Sequence, residues 1–498
     1  MLGRLRHWAR SGMTAWQPEE GDALLYAAAA VFAFFTFELS LFTPTPHTAE
    51  GLATQALYHR WGELALGPYL VAAAVAALLA RRANRSEGID DGRPAFARAR
   101  RLAHLGNLGN ARVLLFLFVL VGATLAPLSL EIVRHSQQPE VTVVEQAGAR
   151  LAQGKDPYHA EVRNGHVVSA DKGEPSFESF FPYLPIMSLF GLPSSTHGPI
   201  QLTDARILFS VVTLLAVACA LTLCRGPTER KMRTLQLMTV LPTAALPLAT
   251  GGDDMPVVAL LLLAMVLAQR RQPGASGFVL GIVSAMKFTA WPLAALALFA
   301  ARDAQGRRAP KRMALGMLIV AGPVVLPFLL QNPVTFVQNV VLFPLGLVGV
   351  ASPAASALPG HLLVSLVPGL HHVLPLAVVL IGGGVLVRHL RRRPPTTAAE
   401  VATLAGWVML VAILLAPATR VGYLLYPVDF FVWAHLLRGT DELDILSGLL
   451  WTPDGALHPI PQSRWRALVG SLQFRWPHPL GTHSGRVSPR PAPGSAGG

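Results

Sequence analysis

Apolar runs about as long as a membrane is thick recur through most of this 498-residue chain, with short polar segments between them. A helix needs about 20 mostly apolar residues to cross the hydrocarbon core of a bilayer. The pattern therefore predicts an all-α polytopic integral membrane protein. The spans that we predict lie at 23–43, 64–80, 113–133, 206–224, 235–250, 255–269, 313–330, 371–388, 400–416 and 422–438.

The basic residues predict that one further apolar segment enters the membrane and returns. Short cytoplasmic loops collect Arg and Lys, which places the arginine-rich stretch 81–112 inside. The later basic clusters 270–271 and 302–312 flank one apolar segment, and a single crossing would put one of them outside. We therefore predict a re-entrant hairpin over residues 277–300, broken near Lys287. The bundle then has about 10–12 membrane helices.

Counting membrane crossings from these cytoplasmic clusters predicts cytoplasmic termini, an extracytoplasmic active site and three substantial outer loops. Those loops are 44–63, 134–205 and 331–370. The last of them contains no Asp, Glu, Lys or Arg, which favours the outer side. We divide the chain into an N-terminal two-helix extension with a basic loop (1–111), a membrane domain (112–438) and a basic tail that is partly disordered (439–498).

Composition excludes several functional classes. The chain is 52% hydrophobic and 14% charged, against about a quarter charged in average soluble proteins. Its net charge of +13 arises from short clusters between apolar runs and not from one basic face, so we expect no nucleic-acid partner. The two cysteines, Cys219 and Cys224, lie in one apolar run, which excludes a disulfide framework. We find no cluster of metal ligands and expect neither a metal nor a cofactor.

The segment PEVTVVEQAGARLAQGKDPY, residues 139–158, follows the third span and predicts a short helix at the outer membrane surface. Pro139 suits the first helical position and Gly154 the position after the helix. On a helical wheel Glu140 points toward the apolar face, whereas Glu145 lies on the opposite side. We expect Glu140 to face the protein and Glu145 to face water. For Glu140, a simple stabilising interaction with the helix dipole is the alternative explanation.

Three further positions carry charge next to apolar runs. Asp253 and Asp254 stand where a span begins, and one of them is expected to be only a helix cap. Lys287 lies within the predicted hairpin, where it either forms a functional site or extends to the cytoplasmic interface. Arg420 stands at the outer end of the last span, beside tyrosines that are typical of an aromatic belt, Tyr423 and Tyr426.

Taken in order, these stretches resemble glycosyltransferase family 87, whose members are integral-membrane GT-C enzymes. Glu140, Gly154 and Tyr158 match an acid followed by a G-x-x-x-Y pattern. The resemblance continues in FPYLP at 181–185, GGDD at 251–254, GFVLGIVSAMKFTAWP at 277–292 and ATRVGYLLYP at 418–427. It covers roughly residues 112–438, and the last motif is similar to actinobacterial members. The family acid is usually Asp, whereas this chain has Glu140.

The resemblance implies a GT-C-like bundle in the plasma membrane that transfers mannose, or a related hexose, from a polyprenyl-phosphate donor to a glycolipid or glycan. It implies an inverting reaction in which Glu140 is the general base. The implied substrate-binding residues are Tyr158, Tyr183, Asp253, Asp254, Lys287, Arg420 and Tyr423. A transporter or flippase of lipid-linked sugars is the alternative, with Lys287 in its substrate site, although we find no duplicated halves.

Overall fold

The computed structural model describes residues 18–38, 49–87, 110–163, 166–168, 177–196, 198–350, 354 and 356–438. Seven helices in these ranges are long and apolar enough to cross a membrane. They correspond to seven predicted spans, those beginning at residues 23, 64, 113, 206, 313, 371 and 400, and they confirm an all-α polytopic membrane protein. The predicted tail, 439–498, lies outside the described residues, as does most of the basic loop before residue 110.

The helices are short in places and several are interrupted. The first four are α1 (Pro18–Glu38), α2 (Ala49–Glu87), α3 (Asn110–Val133) and α4 (Pro139–Ala152). A small antiparallel hairpin follows, β1 (Glu161–Arg163) and β2 (His166–Val168), and then a 3-10 helix, Pro185–Ser195. The next helices are α5 (Ile200–Thr203), α6 (Ala205–Leu223), α7 (Thr228–Thr239), α8 (Pro242–Thr250) and α9 (Asp254–Gln269).

The second half begins with two short helices, α10 (Pro273–Ser284) and α11 (Trp291–Gln305). Then come α12 (Ala309–Gln331), α13 (Pro333–Val337), α14 (Pro359–Leu366), α15 (Leu370–Arg392), α16 (Ala398–Leu415) and α17 (Leu425–Leu436). Stretches of π-helix interrupt α3 and α15 and continue α13. The predicted spans at 255–269 and 422–438 are therefore helices, but short ones.

The predicted span 235–250 is wrong in form, because the chain bends within it. Helix α7 ends at Thr239 and α8 starts at Pro242. Proline lacks an amide hydrogen and disfavours helical geometry in the residue before it, here Leu241, which is extended with ψ 158°. Two short helices replace the single one for this reason.

The predicted hairpin is present as two half-helices that return to the end where they began. Ser276 of α10 donates to the Ala264 carbonyl of α9 at 2.9 Å, near the end of α9. Gln305, at the end of α11, donates to the carbonyl of Ala268 in the same region at 2.9 Å. The chain therefore leaves the end of α9, turns around Lys287 and comes back beside it.

Helix α12 then runs parallel to α10, as it must after such a return. A Cβ atom at Gly277 would collide with the Met313 carbonyl, and one at Gly281 with the Met317 carbonyl. The two helices therefore run in the same direction, because a step of four residues along α10 corresponds to a step of four residues along α12. Glycine is required at both positions because the backbones approach so closely.

Helices α1 and α2 share a hydrophobic core with α3 and with the α7–α8 segment. The Tyr69 hydroxyl donates to the Val240 carbonyl at 2.6 Å, and the Trp61 indole donates to the Ala123 carbonyl at 2.9 Å. Both aromatic side chains are fully buried. Buried polar ends with partners fix how the N-terminal helices lie against the rest of the bundle. The domain boundary at residue 112 stays a prediction.

Candidate functional site

A cavity of about 320 Å³ opens beside the first turn of α4. Its wall comes from the segment before the 3-10 helix, the turn between α10 and α11, helices α15 and α16, and the segment between α16 and α17. Five predicted site residues line it: Glu140, Tyr183, Lys287, Arg420 and Tyr423. These residues come from four separate parts of the chain, and the fold brings them together.

Glu140 and Arg420 form an ion pair at the wall of this cavity. Arg420 Nη1 donates to Glu140 Oε1, and the two side chains are 27% and 15% exposed. Glu140 Oε2 is buried and has no hydrogen-bond partner among the described residues. Glu140 therefore faces the protein, as its position on the helical wheel predicts, and keeps one oxygen atom for another ligand.

Lys287 is buried at the turn between α10 and α11. Its ammonium donates to Asp253 at 2.9 Å and to Asp254 at 2.6 Å. The rings of Tyr183 and Tyr423 lie 5.1 and 5.8 Å from Nζ, close enough for cation–π attraction. Extension of this lysine to the cytoplasmic interface is therefore wrong, because the side chain ends in an anionic and aromatic site inside the protein.

The predicted cap at the start of α9 is also wrong. Asp253 occupies the N-cap position but makes no side-chain bond to the helix. Both aspartates instead bind Lys287, and neither lines the cavity itself. Asp253 Oδ2 is buried without a partner among the described residues. A buried ammonium is retained in its charged form only with such compensation, so the pair explains why the lysine is tolerated there.

Tyr426 is not the aromatic-belt residue that the sequence predicts. It is fully buried, donates to Asp254 Oδ1 at 2.6 Å, and shares a 2.8 Å hydrogen bond with Thr289. Neither of these contacts was predicted. The sequence did indicate that Tyr426 belongs near the site, because it lies in the ATRVGYLLYP motif, three residues after Tyr423 and just before Pro427.

The FPYLP segment is held against the turn that carries Lys287. The amide of Leu184 donates to the Met286 carbonyl at 2.9 Å, and the amide of Ile186 donates to the Ala285 carbonyl at 2.9 Å. These two bonds fix Tyr183 beside the lysine. Tyr158 lies behind this segment, where its hydroxyl donates to the Tyr183 carbonyl at 2.9 Å. Tyr158 does not line the cavity, so its contact with the site runs through the backbone.

Asn339 is a supporting residue that the sequence did not indicate. Its side-chain oxygen accepts from the Phe181 amide at 2.9 Å, and its amide group donates to the Ala160 carbonyl at 2.8 Å. The side chain is fully buried in a stretch of π-helix. It joins the end of the loop after α4 to the start of the FPYLP segment. An asparagine in a mostly apolar segment gives no local signal of this role.

Glu145 does not face water. Its carboxylate accepts from the amide of Ala205 at 3.0 Å, at the N-terminus of α6, and the side chain is half-buried. Burial raises the pKa of Glu145 above its ordinary value. The helical wheel failed here because the start of α6 covers the face of α4 that would otherwise be solvated.

The remaining wall of the cavity is mostly apolar. It continues from the charged residues along Phe288 and Pro292 of the hairpin, and along α15 and α16. Val378 and Val379 contribute from α15, and Met409 contributes from α16. No residue of helix α15 is buried by the rest of the protein, so this wall stands at the edge of the bundle. The arrangement can hold a ligand with a charged head and an apolar tail.

Comparison with known protein families gives a match over part of the chain. Residues 181–417 match the model of glycosyltransferase family 87. This match indicates a membrane glycosyltransferase and gives no support to the transporter alternative. No curated protein and no solved structure matches the chain.

The family 87 match falls within the range that the motifs suggested, but it is shorter. It includes Tyr183, both aspartates of the GGDD motif and Lys287. Glu140 precedes it, and Arg420 follows it by three residues. The assignment of this acid and this arginine to the site therefore rests on their place in the cavity and not on the match.

Proposed function

We propose that the protein transfers a mannosyl, or related hexosyl, residue from a polyprenyl-phosphate sugar to a hydroxyl of a glycolipid or glycan. The observation that carries this proposal is the cavity itself. A carboxylate with an unpartnered oxygen, Glu140, lines the same cavity as the cations Arg420 and Lys287, whose other wall is mostly apolar. A lipid-linked sugar phosphate has the matching order of parts, which are a sugar, a phosphodiester and a hydrocarbon chain.

The depth of the site suits a donor that stays in the bilayer. Helix α9 has 16 residues, so it is about 24 Å long at 1.5 Å per residue. With the end of α9 at the cytoplasmic boundary and its axis along the membrane normal, a hydrocarbon core about 30 Å thick would place the aspartates about 6 Å below the far boundary. The phosphate of a membrane-anchored donor would reach this level without leaving the lipid.

In the reaction, Glu140 removes the proton from the acceptor hydroxyl while that oxygen attacks the anomeric carbon of the donor sugar. The bond between this carbon and the phosphate oxygen breaks, and the electron pair leaves with the polyprenyl phosphate. Attack from the opposite face inverts the anomeric configuration. General-base assistance of this kind contributes about 10²- to 10⁴-fold to the rate.

Arg420 is the stronger of the two candidates for the departing phosphate. Its guanidinium has five N–H donors, and its contact with Glu140 leaves donors for an anion. Lys287 already neutralises part of the charge of two aspartates. We expect it to add a weaker, longer-range attraction and to hold the turn in place, while Tyr183 and Tyr423 pack against the sugar.

We place the reaction on the extracytoplasmic side. The support is the charge pattern, because the ends of α9 and α11 opposite the cavity carry the arginine clusters that are typical of cytoplasmic loops. The acceptor would then reach Glu140 from outside while the donor lipid remains between the helices. Membrane lipids would complete the apolar wall at α15.

The test is transfer by the purified protein. It would be incubated in nanodiscs with polyprenyl-phosphate [¹⁴C]mannose and a membrane lipid extract, and products would be separated and identified by mass spectrometry. We expect a new mannosylated lipid or glycan that is absent without protein. Parallel reactions with polyprenyl-phosphate glucose and polyprenyl-phosphate arabinose test the sugar. No product with any of the three donors would contradict the proposal.

A further inference from the structure

The N-terminal helix α2 reaches the segment that leads into α4, far from the family 87 match in the sequence. Arg60 donates to both carboxylate oxygens of Glu131, at 2.9 and 2.8 Å, and to the Ser136 hydroxyl at 2.7 Å. Glu131 is fully buried, and Ser136 precedes Glu140 by four residues. One side chain of the N-terminal extension therefore joins the end of α3 to the approach to the candidate base.

The chain between α3 and α4 turns sharply and depends on these contacts. His135 has a positive φ of 54°, a conformation that a non-glycine residue rarely adopts. The Ser136 amide donates to the Glu131 carbonyl at 3.0 Å, which closes the turn. Arg206 fixes the same point from α6, because its guanidinium donates to the Ser136 carbonyl at 2.8 Å. A half-buried arginine, Arg60, thus holds the hydroxyl of Ser136, and a buried one, Arg206, holds its carbonyl.

The N-cap residue of α4 is also held by hydrogen bonds, here to Thr250. Gln138 is the N-cap of α4, and its side chain donates to Thr250 Oγ1 at 2.5 Å. Its backbone amide also donates to the Thr250 carbonyl, at 3.3 Å. Tyr58, two residues before Arg60 on α2, forms a side-chain hydrogen bond with Gln138 and interacts electrostatically with Glu140 and Arg420.

We infer that Arg60 is a positioning residue for the reaction, acting through Glu131 and Ser136 to hold the first turn of α4 and thereby Glu140. This inference rests on the proposed function for its catalytic consequence, but not for its structural one. A bidentate arginine–carboxylate pair is directional as well as strong, which suits it to fix a turn. A misplacement of about 1 Å at a reacting group can reduce the rate up to about 10²-fold.

The first readout is independent of activity. A nitroxide label is attached to Thr142→Cys, in the first turn of α4, or to Ala152→Cys, at its end, in a chain with Cys219→Ser and Cys224→Ala. We expect Arg60→Gln to increase the mobility of the label at position 142 and to leave the label at 152 unchanged. Arg82→Gln, an exposed arginine on the same helix, is the matched control and should change neither.

The second readout is kinetic, in the transfer assay with polyprenyl-phosphate mannose and membrane lipid extract. We expect Arg60→Gln to reduce kcat about tenfold or more with the donor KM within about twofold, and Arg60→Lys to recover part of kcat.

Unchanged label mobility at 142 in the folded Arg60→Gln protein would overturn the inference. An increase at both labelled positions would also overturn it, because it would indicate general loosening. If wild-type protein transfers no sugar, the proposed function fails while the label still decides this inference.

Discussion

Arg420 and Glu140 form an ion pair at the wall of the cavity although 280 positions separate them in the chain. The pair joins the residue that we propose as general base to the residue that we propose as phosphate ligand. In the free protein the guanidinium neutralises the carboxylate. When a donor phosphate competes for the guanidinium, Glu140 loses part of this partner and its carboxylate becomes available to the acceptor hydroxyl. Donor binding would therefore prepare the base for the acceptor.

Arg420→Gln should weaken donor use more than it weakens the fold. The change removes a charged donor from the proposed phosphate site, and a hydrogen bond to a charged group is worth about 1.5–3 kcal/mol. We expect kcat/KM for polyprenyl-phosphate mannose to fall about 10- to 100-fold. Arg420→Lys should recover part of it as a point charge. Normal kinetics in Arg420→Gln would remove this arginine from the site.

The Lys287 cluster predicts a stability effect that a simple phosphate-binding role would not produce. Lys287→Met leaves two aspartates buried without their cation, and breaking a buried pair in this way costs roughly 3–5 kcal/mol. Combining it with Asp253→Asn and Asp254→Asn removes the unpaired charges and should restore most of the loss. Thermal unfolding in detergent measures both. A stable single variant would show that the pairing contributes little.

The half-buried Glu145 predicts a pH-dependent difference in stability. Its pKa is raised from 4.5 in the folded protein, so above pH 4.5 the folded state binds more protons than the unfolded state. The contribution of this group to stability therefore falls as pH rises through the folded pKa. Glu145→Gln keeps an acceptor for the Ala205 amide and does not titrate.

The Glu145 prediction is checked by unfolding wild-type and Glu145→Gln protein at several pH values. We expect Glu145→Gln to be the more stable of the two at pH 7, with the difference shrinking toward pH 4.5. Parallel stability curves for the two proteins would contradict it.

The sidedness of the site predicts a labelling pattern in intact cells. Val168→Cys lies in the exposed β2 strand, in a loop that we propose to be outside, and Asp303→Cys lies at the exposed end of α11. In a chain without Cys219 and Cys224, a membrane-impermeant thiol reagent should label position 168 and should reach position 303 only after permeabilisation. Labelling of position 303 from outside would reverse the proposed orientation.

Local patterns predicted the elements of this fold better than the contacts between them. Helix α4 begins at Pro139 and ends before Gly154, whose φ is +69°, because each end is encoded by residues next to it. The bend at Pro242 was equally visible in the sequence and was missed. The pairing of Lys287 with the aspartates was not visible, since it depends on how a hairpin tip meets the start of α9.

The site was predicted in part for the same reason. The helical wheel placed Glu140 correctly, because one helix determines that direction. It misplaced Glu145, because a second helix determines what covers the other face. Tyr426 was mistaken for an interfacial residue because an aromatic side chain near a helix end has the same local pattern whether lipid or Asp254 lies next to it.

The central claim is that Glu140 is the general base, and Glu140→Gln tests it most directly. Glutamine keeps the shape and can still accept from Arg420, but it cannot take a proton. In the assay with polyprenyl-phosphate mannose and lipid extract, we predict normal expression and donor binding with transfer reduced about 10²-fold or more. Glu140→Asp should retain part of the activity, and Glu145→Gln, on the same helix, should retain nearly all of it. Comparable turnover in Glu140→Gln and wild type would contradict the account.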